Sequence, residues 1–258
     1  MPTEDAEWIS ALRSCQDRLA TLVETLDTTS LQMNSYCTGW DIAQVLSHIG
    51  GQAEMFGQIL DAGLTGEAAP GQDGWPPIWD AWNARTPEAK ATDSVAANER
   101  LVSQFESLDQ DQVRSFHVAV FGMQLDLVGV LRLRLPEQAI HSWDIEVSFD
   151  PTSVVSPDSV ALLVDNLANV VAYAGKPTGR ATTLHISTSE PEREFVLVTD
   201  GVRLEPWSEQ SSTGTLELPA EALVRLIYGR LDLSAAPSVV LVSSELALDD
   251  LRTMFPGV

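Results

Sequence analysis

Residues 131–145 read Leu-Arg-Leu-Arg-Leu-Pro-Glu-Gln-Ala-Ile-His-Ser-Trp-Asp-Ile. On a helix, residues three and four apart share a face. Arg134, Glu137, His141 and Asp144 follow one another at such steps, so a helix here gathers four ionisable groups along roughly one stripe. Leu127, Leu131, Leu135, Ile140 and Ile145 supply its apolar positions. Ionisable groups set among apolar ones are costly to bury unless they are paired or bind a metal. The pattern predicts a helix from about Leu125 to Phe149. Pro136 either kinks that helix or stands in the first turn of a new one beginning at Leu135–Pro136.

Glu137 and His141 are one helical turn apart, so a carboxylate oxygen and an imidazole nitrogen can reach one ion. The chain has four histidines, His48, His117, His141 and His185. His48 falls in the middle of a second predicted helix and can supply a third ligand from across a bundle. Two nitrogens, one carboxylate and an open position are the donor set of catalytic zinc, and helical bundles build metal sites from facing helices. The same residues allow a plainer reading. A Glu/His pair one turn apart also suits a solvated face, and His48 beside Leu46 and Ile49 suits a hydrogen-bonded core histidine. Asp144 can accept a hydrogen bond from His141 and fix its tautomer, or form a surface ion pair. Arg134 can pair with a carboxylate or bind an anionic substrate.

Working outward, residues 5–27 read as a helix on Trp8, Leu12, Leu19, Leu22 and Leu26. A second starts at Gly39–Trp40–Asp41, with Asp41 as N-cap, and runs to about Leu60. Gly50–Gly51 within it permits close packing of a neighbour. Residues 63–77 are Gly- and Pro-rich and read as a loop, followed by a helical region from Ile78 to Leu108 interruptible at Pro87. Residues 115–123 suit a short extended piece. The polar stretch Asp150–Pro157, twice broken by proline, marks a boundary between a domain at 1–150 and one at 151–258. Beyond it a helix is expected at 157–174, then strands at Thr182–Ser187, Glu194–Thr199, Val202–Pro206 and Gly214–Leu218. Helices are expected from Pro219 to Tyr228 and near Ser244–Met254. The class is α+β: a helical bundle, then a small α+β domain.

The 258 residues carry 37 acids against 15 bases, for a net charge of −22. Spread along the chain, that charge repels nucleic acid and anionic lipid, so neither is an expected partner. The cysteines, Cys15 and Cys37, form no CxxC motif. Met1–Ser10 lacks a signal pattern, and no apolar run approaches the roughly 20 residues that span a bilayer. A cytoplasmic location is expected.

Thr38-Gly39-Trp40-Asp41 followed by Val45-Leu46-Ser47-His48-Ile49 resembles the signature that opens the second helix of mycothiol-dependent maleylpyruvate isomerase-like proteins. The run Arg134-Leu135-Pro136-Glu137 with His141, Trp143 and Asp144 resembles their second signature, with Pro136 in place of the expected small or helix-compatible residue. Leu223–Leu231, containing Tyr228-Gly229-Arg230, is similar to the helix with a terminal Gly-Arg in their C-terminal domain. The resemblance implies an N-terminal DinB-like four-helix bundle and metal ligation by His48, Glu137 and His141. It also implies the thiol mycothiol as cosubstrate, in an actinobacterial cytoplasm.

The chemistry this implies is a thiol held as thiolate on a divalent metal, Zn2+ by ligand type, adding to an electrophilic substrate. Expelling the thiol after bond rotation gives cis–trans isomerisation of a maleylpyruvate-like acid, and releasing the adduct gives S-transfer. A dicarboxylate substrate needs cationic anchors, for which Arg85, Arg134 and Arg230 are the candidates, each also open to a structural ion pair. Asn83 is a candidate for binding the thiol. Trp75, Trp79 and Trp82 suit either a pocket wall or packing, and His117 and His185 suit structural roles. The competing readings are a metal-binding but non-catalytic small-molecule binder or regulator, and a bundle in which the three residues are merely structural. Either a monomer or a homodimer fits.

Overall fold

Trp8, Leu12, Cys15 and Leu19 recur at helical spacing, and all four are buried along one side of α1 (Glu4–Glu24). The computed structural model describes residues 3–208, 211–232, 239–243 and 245–257. These form two compact units, one ending at Ser159 and one starting at Val160. In the first, α1 is followed by the single turn α2 (Thr28–Leu31), then α3 (Ile42–Thr65), α4 (Pro76–Asn83), α5 (Pro87–Glu106), α6 (Gln110–Ser115) and α7 (Leu127–Glu146). The hairpin β1 (Val118–Val120) and β2 (Met123–Leu125) precedes α7. The long helices α1, α3, α5 and α7 pack against one another as a bundle. Leu19, Ile42, Val45, Leu46, Ile49 and Ile145 meet in its core.

Three of the long helices, α3, α5 and α7, start where a side chain satisfies open N–H groups. Asp41 and Gln44 cap α3 reciprocally: the Gln44 N–H donates to Asp41 at 2.7 Å, and the Asp41 N–H donates to Gln44 Oε1 at 3.0 Å. Thr86 caps α5, with Pro87 in the first turn. Asp126 caps α7 by accepting from the Gly129 N–H at 2.7 Å.

In the first unit three expectations change. The loop expected at 63–77 is shorter, because α3 continues to Thr65 and ends on Gly66 at φ +73°. Gly63, read there as loop composition, lies inside the helix and admits Phe116, whose ring would stand 2.3 Å from a Cβ at that position. Gly50 does the same for Trp82, with 2.2 Å to the nearest ring carbon. Second, α7 runs unbroken through Pro136, so no new helix starts there. It is buried on nearly all sides, as a central helix must be to offset a lost backbone hydrogen bond by packing. Third, the short helices α2 and α6 were not expected.

Helix α8 (Pro157–Ala174) spans the division between the units. The expected boundary after residue 150 lies in the segment leading to it. The second unit contains β3 (Thr183–Ser189), β4 (Arg193–Val198), β5 (Arg203–Pro206), β6 (Gly214–Pro219), α9 (Ala220–Ile227), β7 (Val240–Ser243) and α10 (Leu248–Met254). Among the described residues the strand order is β5-β4-β3-β6-β7. β3 and β6 are parallel, and the other neighbours are antiparallel. Leu184, Ile186, Leu216 and Leu218 point into the core at alternate positions. The strands expected from alternation are all present, whereas β7 was not expected and the helix placed at Ser244–Met254 starts later, at Leu248. Ser244 lies outside the described residues.

Candidate metal centre

α3 and α7 place the three candidate ligands together. His48 Nε2 stands 3.0 Å from Glu137 Oε2, and His141 Nε2 stands 3.9 Å from the same oxygen. The two imidazole rings meet edge to face at 4.7 Å between centroids. One donor atom from each residue lies within 4.8 Å of the others. All three side chains are partly exposed, at 22%, 32% and 13% for His48, Glu137 and His141, so the cluster is reached from solvent. Burial pushes the Glu137 carboxyl up. The hydrogen bond to His48 and the charges of His141, His48 and Arg134 outweigh it, and the group sits below its usual range.

Asp144 stands behind this cluster. It is fully buried, and its Oδ2 accepts from His141 Nδ1 at 2.8 Å. That contact engages Nδ1 and leaves Nε2 as the nitrogen on the Glu137 side. The same Oδ2 lies 3.0 Å from Cys37 Sγ. Cys37 belongs to a loop tied to α7 by the Tyr36 N–H, which donates to the Asp144 carbonyl at 3.0 Å. That loop turns on Gly39 at φ +82°, a conformation suited to glycine. It then sets Trp40 against both candidate-ligand rings, at 5.3 Å from His48 and 6.4 Å from His141.

Of the other candidates, Arg134 is wholly buried in the bundle. Its Nη2 donates to Asn98 and, at 3.0 Å, to Gln138 Oε1. Nε and Nη1 find no hydrogen-bond partner among the described residues. Burial pulls the guanidinium down to about 10, against the pull of Glu137. Arg134 is thus a core residue rather than a group that meets an incoming anion. Arg85 lies over the Trp82 ring at 3.6 Å and pairs with Asp93 at 3.1 Å. Asn83 accepts a hydrogen bond from Ser47, the neighbour of His48, at 3.0 Å and so ties α4 to α3. Arg230 belongs to the second unit, just after α9, and donates to the Tyr228 carbonyl at 2.7 Å. Trp75 and Trp82 are packed, while Trp79 is exposed. His117 bonds to the Ser115 carbonyl, and His185 stacks on Trp207.

Sequence reading did not single out Trp40 or Tyr36 for the site. Trp40 entered only as part of a signature and of a helix start. Its one local cue is a large apolar residue between a glycine and a helix cap, which does not reveal two histidines underneath.

A sequence-family model described as "Mycothiol maleylpyruvate isomerase N-terminal domain" matches residues 12–146. No curated protein matches significantly. Among solved structures, the chain is similar to a crystal structure of the mycothiol-dependent maleylpyruvate isomerase. Identity is 17% over 96% of this chain and 98% of that one, with a TM-score of 0.68. A histidine-to-alanine mutant of that enzyme matches with the same values. The fold is therefore α+β, an N-terminal DinB-like four-helix bundle followed by a small α+β domain. The family match covers more than half of the chain and includes His48, Glu137 and His141, so the chain belongs to the mycothiol maleylpyruvate isomerase N-terminal domain family.

Proposed function

We propose that the protein is a metal-dependent isomerase that uses a low-molecular-weight thiol, mycothiol, to convert a maleylpyruvate-like cis acid to its trans isomer. The observation that carries this reading is the convergence of His48, Glu137 and His141 inside the family-matched span. The residues fit a divalent cation of the zinc type. Two imidazole nitrogens and one carboxylate oxygen face one another, the backing carboxylate of Asp144 fixes one tautomer, and no protein sulfur belongs to this trio. Bound there, the cation would supply Lewis acidity that keeps an incoming thiol deprotonated at neutral pH.

The chain's own residues do the rest. Glu137 brings a negative charge to the cluster, its Oε2 3.0 Å from His48 Nε2. Asp144 holds the proton at His141 Nδ1. Trp40 forms an apolar wall over both imidazoles, limiting water beside the reacting atoms.

Elemental analysis of wild type beside His48→Ala tests the reading. About one divalent ion per chain in the wild type and little in the variant is expected, with mycothiol-dependent isomerisation in the wild type alone. Metal without turnover for any thiol and electrophile pair would point to a non-catalytic binder, and S-linked adduct without isomerisation to a thiol transferase. No metal in either protein after incubation with zinc would overturn the reading.

A further inference from the structure

Cys37 plays no part in the reaction described above, yet it stands against the support of one ligand. Its sulfur is 3.0 Å from Asp144 Oδ2 and 3.7 Å from His141 Nδ1. The nitrogen it approaches is the one turned away from Glu137, so the sulfur meets the metal centre from behind His141. Asp144 Oδ2 therefore serves two partners, His141 at 2.8 Å and Cys37 at 3.0 Å. Asp144 is fully buried. A buried carboxylate takes its orientation from its hydrogen-bond donors, and losing one is expensive where water cannot replace it.

The position of the sulfur is itself built. The Cys37 N–H donates to Ser35 Oγ at 3.1 Å, and the Trp40 N–H donates to the Cys37 carbonyl at 3.0 Å. The Tyr36 N–H fastens the same loop to the Asp144 carbonyl. One short loop thus sets Trp40 above the ligand histidines and Cys37 beside the carboxylate that steers one of them.

We propose that Cys37 is a positioning residue of the metal centre: its thiol donates to Asp144 Oδ2, and through that oxygen it holds His141 with Nε2 presented to the ion. This rests on the metal reading given above. Cys37, His141 and Asp144 also form a trio whose donor atoms lie within ligating distance of one another. That trio contains a fully buried carboxylate, whereas the His48, Glu137 and His141 set is partly exposed throughout. The accessible set is the one that can leave a position for a substrate, and the Cys37 set supports it.

The test compares wild type, Cys37→Ala and Cys37→Ser as full-length proteins loaded with cobalt(II). Affinity is read by competition with a chelator, and the ligand field by the visible absorption of the bound ion. Losing the partner of a ligating histidine costs about 10–100-fold in metal affinity. Cys37→Ala, one bond further out, is expected to lose about tenfold and to show altered cobalt bands. Cys37→Ser retains a donor and is expected to stay within about threefold of wild type with wild-type bands. Three results would overturn the proposal: Cys37→Ala indistinguishable from wild type; a loss that serine does not rescue; or a thiolate-to-cobalt charge-transfer band in wild type that vanishes in Cys37→Ala, which would make Cys37 a ligand. If Cys37→Ala does not fold, a tenfold loss in Cys37→Ser alone overturns the donor role. A wild type that takes up no cobalt would defeat the metal reading and this inference together, whereas a loaded wild type beside an unaffected alanine variant defeats only the inference.

Discussion

Gly50 and Gly51 are adjacent on α3, both face the α4 side of the bundle, and both replace a better helix former. They differ in what stands opposite. A Cβ at Gly50 would lie 2.2 Å from Trp82, whose Nε1 is anchored to Glu54 at 2.9 Å and whose ring is covered by Arg85. A Cβ at Gly51 would meet Trp82 at an ordinary 3.5 Å. Gly50→Ala is therefore expected to destabilise the protein by about 1–3 kcal/mol through overpacking. Gly51→Ala should be neutral or stabilising by up to about 1 kcal/mol through helix propensity. Urea unfolding of both variants decides the matter, and a reversed order would show that Trp82 yields where the packing says it cannot.

At the scale of elements, α7 carries two of the three candidate ligands together with the carboxylate behind them, and it does so with a proline inside. Pro136 has no N–H to offer the carbonyl one turn earlier, that of Arg132, and a proline inside a helix costs about 3 kcal/mol. The helix stays continuous because its surroundings bury it, not because its residues favour it. Pro136→Ala restores the donor at the cost of a few buried ring carbons. It is expected to raise stability by about 1 kcal/mol, seen as a higher denaturant midpoint with an unchanged slope. A lower midpoint would mean that the ring's packing outweighs the backbone bond.

For the whole molecule, Cys15 makes one contribution to the pH dependence of stability in the alkaline range. Its thiol is buried in the first unit and bonded to Ser159 at 3.0 Å. Burial pushes it up from 9.0 to about 11, against the opposing effect of the Ser159 hydrogen bond and of Arg18 and Arg134. The unfolded thiol ionises first, so this contribution is fully present below pH 9 and is lost as pH rises to about 11. The difference corresponds to about 3 kcal/mol. Thermal melts between pH 8 and 11 should fall more steeply for wild type than for Cys15→Ala; parallel curves would remove Cys15 as the cause. The net charge of −22 adds self-repulsion that does not depend on this residue.

Local rules alone reach a long way in this chain. Three- and four-residue spacing placed Glu137 and His141 on one helical face, Asp41 before an apolar stripe marked the start of α3, and alternation marked β3 to β6. These signals live within one or two turns of chain, where propensity and capping act. The candidate trio His48, Glu137 and His141 was legible for the same reason, as residue types within two short motifs, and the fold brings the three side chains together. What the sequence could not supply were contacts between distant segments. Arg134 reads either as an anion anchor or as a partner in a structural ion pair, yet the bundle buries it completely and gives it Asn98 of α5 and Gln138. Cys37 meets Asp144 across 107 positions. The nitrogen that His141 turns to Glu137, the indole above it and the oxygen behind it depend on how α3, α7 and the Cys37 loop pack. Only the tertiary structure decides that, because the buried carboxylate takes its orientation from donors that the chain brings together only on folding.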